Sequence, residues 1–249
     1  MQYSMFVILE GNNLTNTNRW KLDDKKSIAI IIIIILLVFL IMLPLKPVIA
    51  GDDISYALSV IHLLNTGELF FYTNTSPSLI FQILWGSIFA KIFGFSVPLL
   101  HFSVFLFLPF LALIFYSLCR ELKISSHNSL ILTLFLISIP WYFRYSFGFR
   151  TDLPYTALQM ASIYFYFKGL KSKNVRDVFV GSIFASLAFL TRQIGIIIVL
   201  SSFLAIFLNW KFFGQFKLKI LLASLFVPFL TVGFYSLWLS ITNNITITQ

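Results

Sequence analysis

The sequence predicts an all-α protein, a polytopic bundle of about seven transmembrane helices with one further helix lying at the interface in the first outer loop. Composition is the first observation behind this. Of the 249 residues, 59% are hydrophobic and 11% charged, whereas roughly a quarter are charged in an ordinary soluble domain. The second is the form of the apolar runs. Ile28 to Met42 is apolar around its whole circumference, and such runs lack the alternation of barrel strands. The third is charge placement, because the Lys and Arg residues gather in short clusters between these runs, as they do where they set orientation.

Residues 1–26 are polar and Asn-rich and are expected to form a mobile cytoplasmic tail. The membrane domain then occupies 27–249, beginning with a span at 27–44. No small-x-small cleavage pattern follows this span, which reads as a signal anchor. The first outer loop is 45–96. Within it, 79–93 is apolar but short, follows Pro77 and ends at Lys91 and Gly94, and is assigned to the interface. Further spans are predicted at 97–118, 129–147, 154–170, 178–191, 194–210 and 219–241, the pair around Thr191 to Gly195 being read as two helices. With 79–93 outside, the basic clusters at 19–26, 120–123, 168–176 and 211–219 all face the cytoplasm, in keeping with the positive-inside tendency.

The net charge of +9 is therefore read as orientation and not as a nucleic-acid footprint. The single cysteine, Cys119, excludes an intrachain disulfide and a cysteine metal cluster. No internal repeat, Gly-rich phosphate loop or histidine cluster is visible. On this topology the outer face collects Lys46, Asp52, Asp53, His62, Glu68, Arg144, Arg150, Asp152, Arg192 and Gln193.

Asp52 and Asp53 follow Gly51 and precede Tyr56 and Ala57, at an expected helix N-terminus where anions are favoured. Like charges so close raise the proton affinity of one member, leaving one carboxylate as a base. The alternative is an N-cap on a solvated turn. Arg150-Thr151-Asp152-Leu153-Pro154 opens the fourth span, and Arg192 sits between two apolar runs on the same side. A guanidinium near membrane depth persists where it has a partner or task, and its planar fork suits a phosphate. Arg192 is the foremost candidate for a lipid phosphate. Arg150 and Arg144 read as headgroup anchors, and Asp152 alternatively as an N-cap. His62 and His101 are assigned no role.

These residues together resemble the C-type membrane glycosyltransferases, in the branch of protein O-mannosyltransferases and aminoarabinose transferases. Gly51-Asp52-Asp53 with Tyr56-Ala57 resembles that family's acidic motif, and Asn65-Thr66-Gly67-Glu68 its small-residue turn. Pro77 to Gly94 is similar to its interfacial helix, Thr151-Asp152-Leu153-Pro154 to its second acidic site, and Leu190-Thr191-Arg192-Gln193 to its basic site. The sequence departs in having Thr75 and Ser76 before Pro77, where the family often has a basic residue, and His101 where arginine is frequent. It is also shorter than the family, whose C-terminal part is expected to be missing.

The resemblance implies an inverting transfer from a polyprenyl-phosphate-linked sugar donor to an acceptor at the non-cytoplasmic face, by a multi-pass protein whose N-terminus is cytoplasmic. Asp52 would take the acceptor proton, Asp53 would orient the acceptor or the base, and Asp152 would be the second acidic support. Arg192 and Arg150 would bind the lipid phosphate, and Tyr56 and Glu68 would support the substrate loop. No cofactor is expected, a divalent metal on the two carboxylates being the less favoured arrangement. Expected partners are the donor, an unidentified acceptor, membrane lipids and a second chain that could supply the missing spans, with no nucleic acid. The competing functions are a transporter or lipid-binding scaffold, in which the same charges line a path, and an inactive or split fragment of a transferase.

Overall fold

Prolines interrupt two of the apolar runs, at 97–121 and at 129–147. The computed structural model describes residues 22–42, 51–72 and 78–242, and no strand occurs among them. Helix α1 is Leu22–Met42, and α2 (Asp52–Thr66) and α3 (Ile80–Phe93) lie in the loop after it. Next come α4 (Val97–Phe105) and α5 (Phe107–Glu121), one apolar path of 25 residues interrupted at Leu106. Pro109 accounts for the interruption, since it has no N–H to give the Phe105 carbonyl four residues back. The chain continues through α6 (Ser126–Ser138), α7 (Pro140–Tyr145), α8 (Asp152–Ser172) and α9 (Val175–Phe189). A 3-10 turn at Gln193–Gly195 leads into α10 (Ile196–Leu208), α11 (Trp210–Phe213) and α12 (Lys217–Thr242).

The expected spans therefore exist as helices, with the one at 97–118 divided at Leu106 into α4 and α5 and one larger correction. A single span over 129–147 does not form. Helix α6 stops at Ser138, Ile139 turns to an extended conformation (φ −58°, ψ 125°), and Pro140 opens the separate short helix α7. The residue before a proline is pushed out of the helical region, so the apolar run cannot continue as one helix. The expected tail also ends earlier: residues 22–26 belong to α1, while 1–21 lie outside the described residues, as do Lys46 and Pro77. Helix α3 has 14 residues, which at 1.5 Å per residue gives about 21 Å, short of a hydrocarbon core of ~30 Å.

Large apolar side chains face outward as well as into the core, as in a protein dissolved in lipid. Ile41, Phe229 and Ile241 are 76%, 77% and 78% exposed, which in water would form large adhesive patches. Serines sit among the apolar residues at the helix contacts. The buried Ser162 hydroxyl on α8 donates to the Gly181 carbonyl on α9 at 2.8 Å, Ser202 on α10 meets Ser224 on α12 at 2.9 Å, and Tyr166 donates to the Ser224 carbonyl at 3.0 Å. Small hydroxyl residues let membrane helices approach closely while their donors find backbone acceptors. The chain is thus an α-helical integral membrane protein.

Ion pairs gather at the two ends of this bundle. At the C-terminal end of α8, Lys171 pairs with Glu121 at 2.9 Å and Lys168 with Asp177 at 3.6 Å, and the neighbouring Arg120 meets Asp24 at 2.7 Å. Asp24 also accepts from Tyr116 at 2.7 Å, and Ser126, which meets both Tyr116 and Ser27, joins α1, α5 and α6. Replacing the buried Asp24 by alanine leaves Arg120 without its counter-ion and the Tyr116 hydroxyl without its charged acceptor. The expected cost is about 2–3 kcal/mol, read as a lower melting temperature in detergent, with Asp24→Asn intermediate.

Candidate active site

The other end of α8 carries the residues singled out by sequence. Gly51 has φ +62° and ψ −129°, a backbone region that residues with a Cβ resist. It turns the chain so that Asp52 and Asp53 form the first turn of α2, where unsatisfied backbone N–H groups favour anions. A Cβ at Gly51 would lie 3.4 Å from Arg150 Nη2, so the guanidinium packs directly against this turn. The two carboxylates then diverge. Asp52 is exposed and has no ion pair among the described residues, whereas Asp53 is buried with Oδ1 3.1 Å from Arg150 Nε.

Asp53 is enclosed by the loop between α7 and α8. The Phe149 N–H donates to its carboxylate, and a Cβ on Gly148 would lie 2.9 Å from Asp53 Oδ2, closer than side chains tolerate. Burial pushes the Asp53 carboxyl above the usual carboxylate range. The charge and hydrogen bond of Arg150 draw it back, and Asp52 adds a smaller upward push. The like-charge effect expected from the paired acids is therefore present but secondary to desolvation. Arg150 also lies over the Tyr145 ring, 5.0 Å from its centroid.

A second acid–arginine pair forms where α8 begins and α9 ends. Arg192 is extended (φ −150°, ψ 128°), and its N–H donates to the Ala188 carbonyl at 2.9 Å, which holds it against the last turn of α9. Its Nη2 donates to Asp152 Oδ1 at 2.8 Å and its Nε to Thr151 Oγ1 at 3.0 Å. The Tyr155 ring lies 5.8 Å below the guanidinium carbon. Gln193 next door donates to the Tyr235 hydroxyl at 3.0 Å, fastening this turn to α12. With Nε and one Nη2 hydrogen engaged and the side chain 40% exposed, Arg192 keeps Nη1 for a ligand.

Tyr56 joins the two pairs. It lies one turn along α2 from Asp52, and its phenol feels Asp52, Arg192, Asp152 and Arg150 together. Burial and then Asp52 push its pKa upward against the pull of Arg192, so at neutral pH it is a hydrogen-bond donor. Asp52, Asp53, Tyr56, Arg150, Asp152 and Arg192 thus converge at one end of the bundle.

Glu68 does not join them. It is exposed beyond Gly67, whose left-handed conformation (φ 76°, ψ 1°) ends α2, and the 15 residues of α2 put it about 20 Å along the helix. His62 packs on Phe70 with ring centroids 5.1 Å apart, His101 is buried in α4, and Arg144 is exposed on α7. Among the described residues no three His, Cys, Asp or Glu side chains gather as metal ligands. Sequence reasoning missed Thr151, Tyr155 and Gly148. Tyr155 had one available signal: it stands three residues after Asp152, on the same helix face.

Residues 77–235 match the family described as dolichyl-phosphate-mannose-protein mannosyltransferase. The match includes α3, the Arg150 loop, Asp152, Arg192 and Tyr235. No curated protein and no solved structure matches the chain.

Proposed function

The chain belongs to the dolichyl-phosphate-mannose-protein mannosyltransferase family, and from that premise we propose that it moves a sugar from a polyprenyl-phosphate carrier to an acceptor hydroxyl or amine at the non-cytoplasmic face, inverting the anomeric centre. The observation that carries this is the convergence of two carboxylate–arginine pairs and one unpaired carboxylate around Tyr56. Ion pairs that gather at the ends of a bundle, as these do, suit chemistry at the membrane surface. A transporter tends instead to place ionisable groups near the midplane.

The geometry supports the following division of roles. Asp52, exposed and unpaired, takes the proton of the acceptor as its oxygen or nitrogen attacks the anomeric carbon. The bond from that carbon to the phosphate oxygen breaks, and the phosphate leaves with the electron pair. Arg192, aimed by Asp152 and Thr151, holds that phosphate and stabilises its growing charge. Asp53 and Arg150 fix the loop before α8 against the start of α2, so that base and phosphate site keep their separation. The bilayer confines the carrier lipid to the plane where these groups lie.

The test is transfer of labelled mannose from dolichyl phosphate mannose in membranes containing the wild type or Asp52→Asn at matched expression. Loss of roughly 10²- to 10⁴-fold in rate with unchanged KM is the expected result for a missing base. Full activity in Asp52→Asn would reject the assigned role, and a wild type without transfer would reject the proposed activity of this chain.

A further inference from the structure

Gln82 is fully buried in α3, and neither its amide oxygen nor its amide nitrogen has a hydrogen-bond partner. A primary amide offers two donors and an acceptor, and desolvating all of them without compensation is among the costlier arrangements a fold can contain. Its surroundings place it beside the site. The N–H of Phe81, the preceding residue, donates to the Leu190 carbonyl at 3.0 Å, two residues before Arg192. Gly86, one turn later on the same helix face, lies against Phe149: a Cβ there would sit 2.5 Å from the Phe149 ring and 3.1 Å from Val60. Phe149 adjoins Arg150, and Val60 stands one turn beyond Tyr56 on α2. Gln82 is thus flanked, above and below, by contacts to the two segments that carry the arginines.

We propose that Gln82 is a specificity-determining residue that reads the sugar of the donor by hydrogen-bonding its hydroxyls; this rests on the transferase function proposed above. The chemistry of the amide selects among the possible ligands. A phosphate only accepts hydrogen bonds and would leave the Gln82 oxygen unmet. A single acceptor hydroxyl could meet one amide atom but not both at their spacing. Two neighbouring sugar hydroxyls, each able to donate and accept, satisfy both atoms at once. A site built to hydrogen-bond a hydroxyl discriminates strongly against a ligand lacking it, because its own buried polar group is then left unpaired. The amide is fully buried in this conformation, so the sugar reaches it by displacing the groups that cover it.

The experiment compares binding of dolichyl phosphate and dolichyl phosphate mannose to the purified full chain in lipid nanodiscs, for wild type and Gln82→Met. Methionine matches glutamine in volume and has no strong polar atom, so the variant is expected to melt at or above the wild-type temperature. Gln82→Leu is the second variant should Gln82→Met misfold. The expected result is that the wild type binds the mannosylated lipid more tightly than the bare phosphate, and that the variant loses roughly tenfold of affinity for the former while keeping the latter. Equal loss for both lipids, no loss for either, or a wild type indifferent to mannose would each overturn the role of Gln82. A wild type that binds neither lipid would overturn the lipid-phosphate site itself, and the sugar-reading role with it.

Discussion

Arg192→Ala is expected to lower mannose transfer by about 10²- to 10³-fold, the range seen when one preorganised donor to a developing anion is removed. Its two engaged nitrogens are committed to Asp152 and Thr151, so the guanidinium is held in place before any phosphate arrives. That preorganisation is the source of the effect, because the donors need not reorient as the glycosidic bond breaks. Arg192→Lys keeps a positive charge but cannot donate to Asp152, Thr151 and a phosphate at fixed angles, and it is expected to recover only part of the loss. Asp152→Asn leaves the guanidinium present but loosely aimed, and a smaller loss of roughly tenfold is expected. Stability should hardly change, since the Arg192 side chain is 40% exposed and a pair so accessible to solvent contributes about 1 kcal/mol or less. Initial rates at matched expression, with melting temperatures alongside, separate the two effects. Arg192→Ala with wild-type transfer would show that the phosphate is held elsewhere.

Much of this site could be read from the sequence, and the reason is the cost of charge near a membrane. Asp52, Asp53, Arg150, Asp152 and Arg192 stand out because almost everything around them is apolar. Their partners did not stand out. The sequence set Arg192 apart as a phosphate candidate and read Arg150 from its position as a headgroup anchor, yet each is held by a carboxylate distant in sequence, Asp53 for Arg150 and Asp152 for Arg192. Such pairing is set by how α2, α8 and α9 pack, which no local pattern encodes. The same holds for Gln82: within an apolar run it looks like a tolerated polar residue, and only the fold shows that nothing satisfies it.

The helix assignments divide in a similar way. Apolar runs bounded by charges gave α8 and α12 to within two residues, because lipid dictates their length. The run at 129–147 misled, since hydropathy does not register backbone constraint and Pro140 broke the run without lowering its apolar character. The two-helix reading of 178–210 held for a structural reason. Thr191 and Arg192 hydrogen-bond back to the Ala188 carbonyl, and the chain then reverses through the 3-10 turn that carries Gln193.

Gly169→Leu is expected to be the most damaging single substitution away from the site. Helices α8 and α9 form an antiparallel hairpin whose free ends hold Asp152 and Arg192, and at Gly169 the two backbones nearly touch. A Cβ there would lie 2.7 Å from the Val178 amide nitrogen and 3.1 Å from the Asn174 carbonyl oxygen. Both obstacles are backbone, so no rotamer change relieves the clash and the helices must separate. Gly181 repeats the arrangement from the other helix, with a Cβ 3.0 Å from the Tyr166 amide nitrogen, so the two backbones are in close contact at a second level as well. Gly169→Ala is expected to cost about 1–3 kcal/mol, the usual range for overpacking, and Gly169→Leu more than that. Thermal unfolding in detergent measures the loss, and transfer per folded molecule tests its reach. Gly169 and Asp152 lie 17 residues apart on one helix, roughly 25 Å, and the intervening Ser162–Gly181 hydrogen bond clamps the hairpin between them. The surviving folded fraction of Gly169→Ala should therefore transfer mannose at close to the wild-type rate, because the clamp isolates the site from strain at the far end. A folded Gly169→Ala protein with strongly reduced turnover would mean instead that the hairpin moves as a rigid lever, and that the Asp152–Arg192 geometry is set along the whole length of α8.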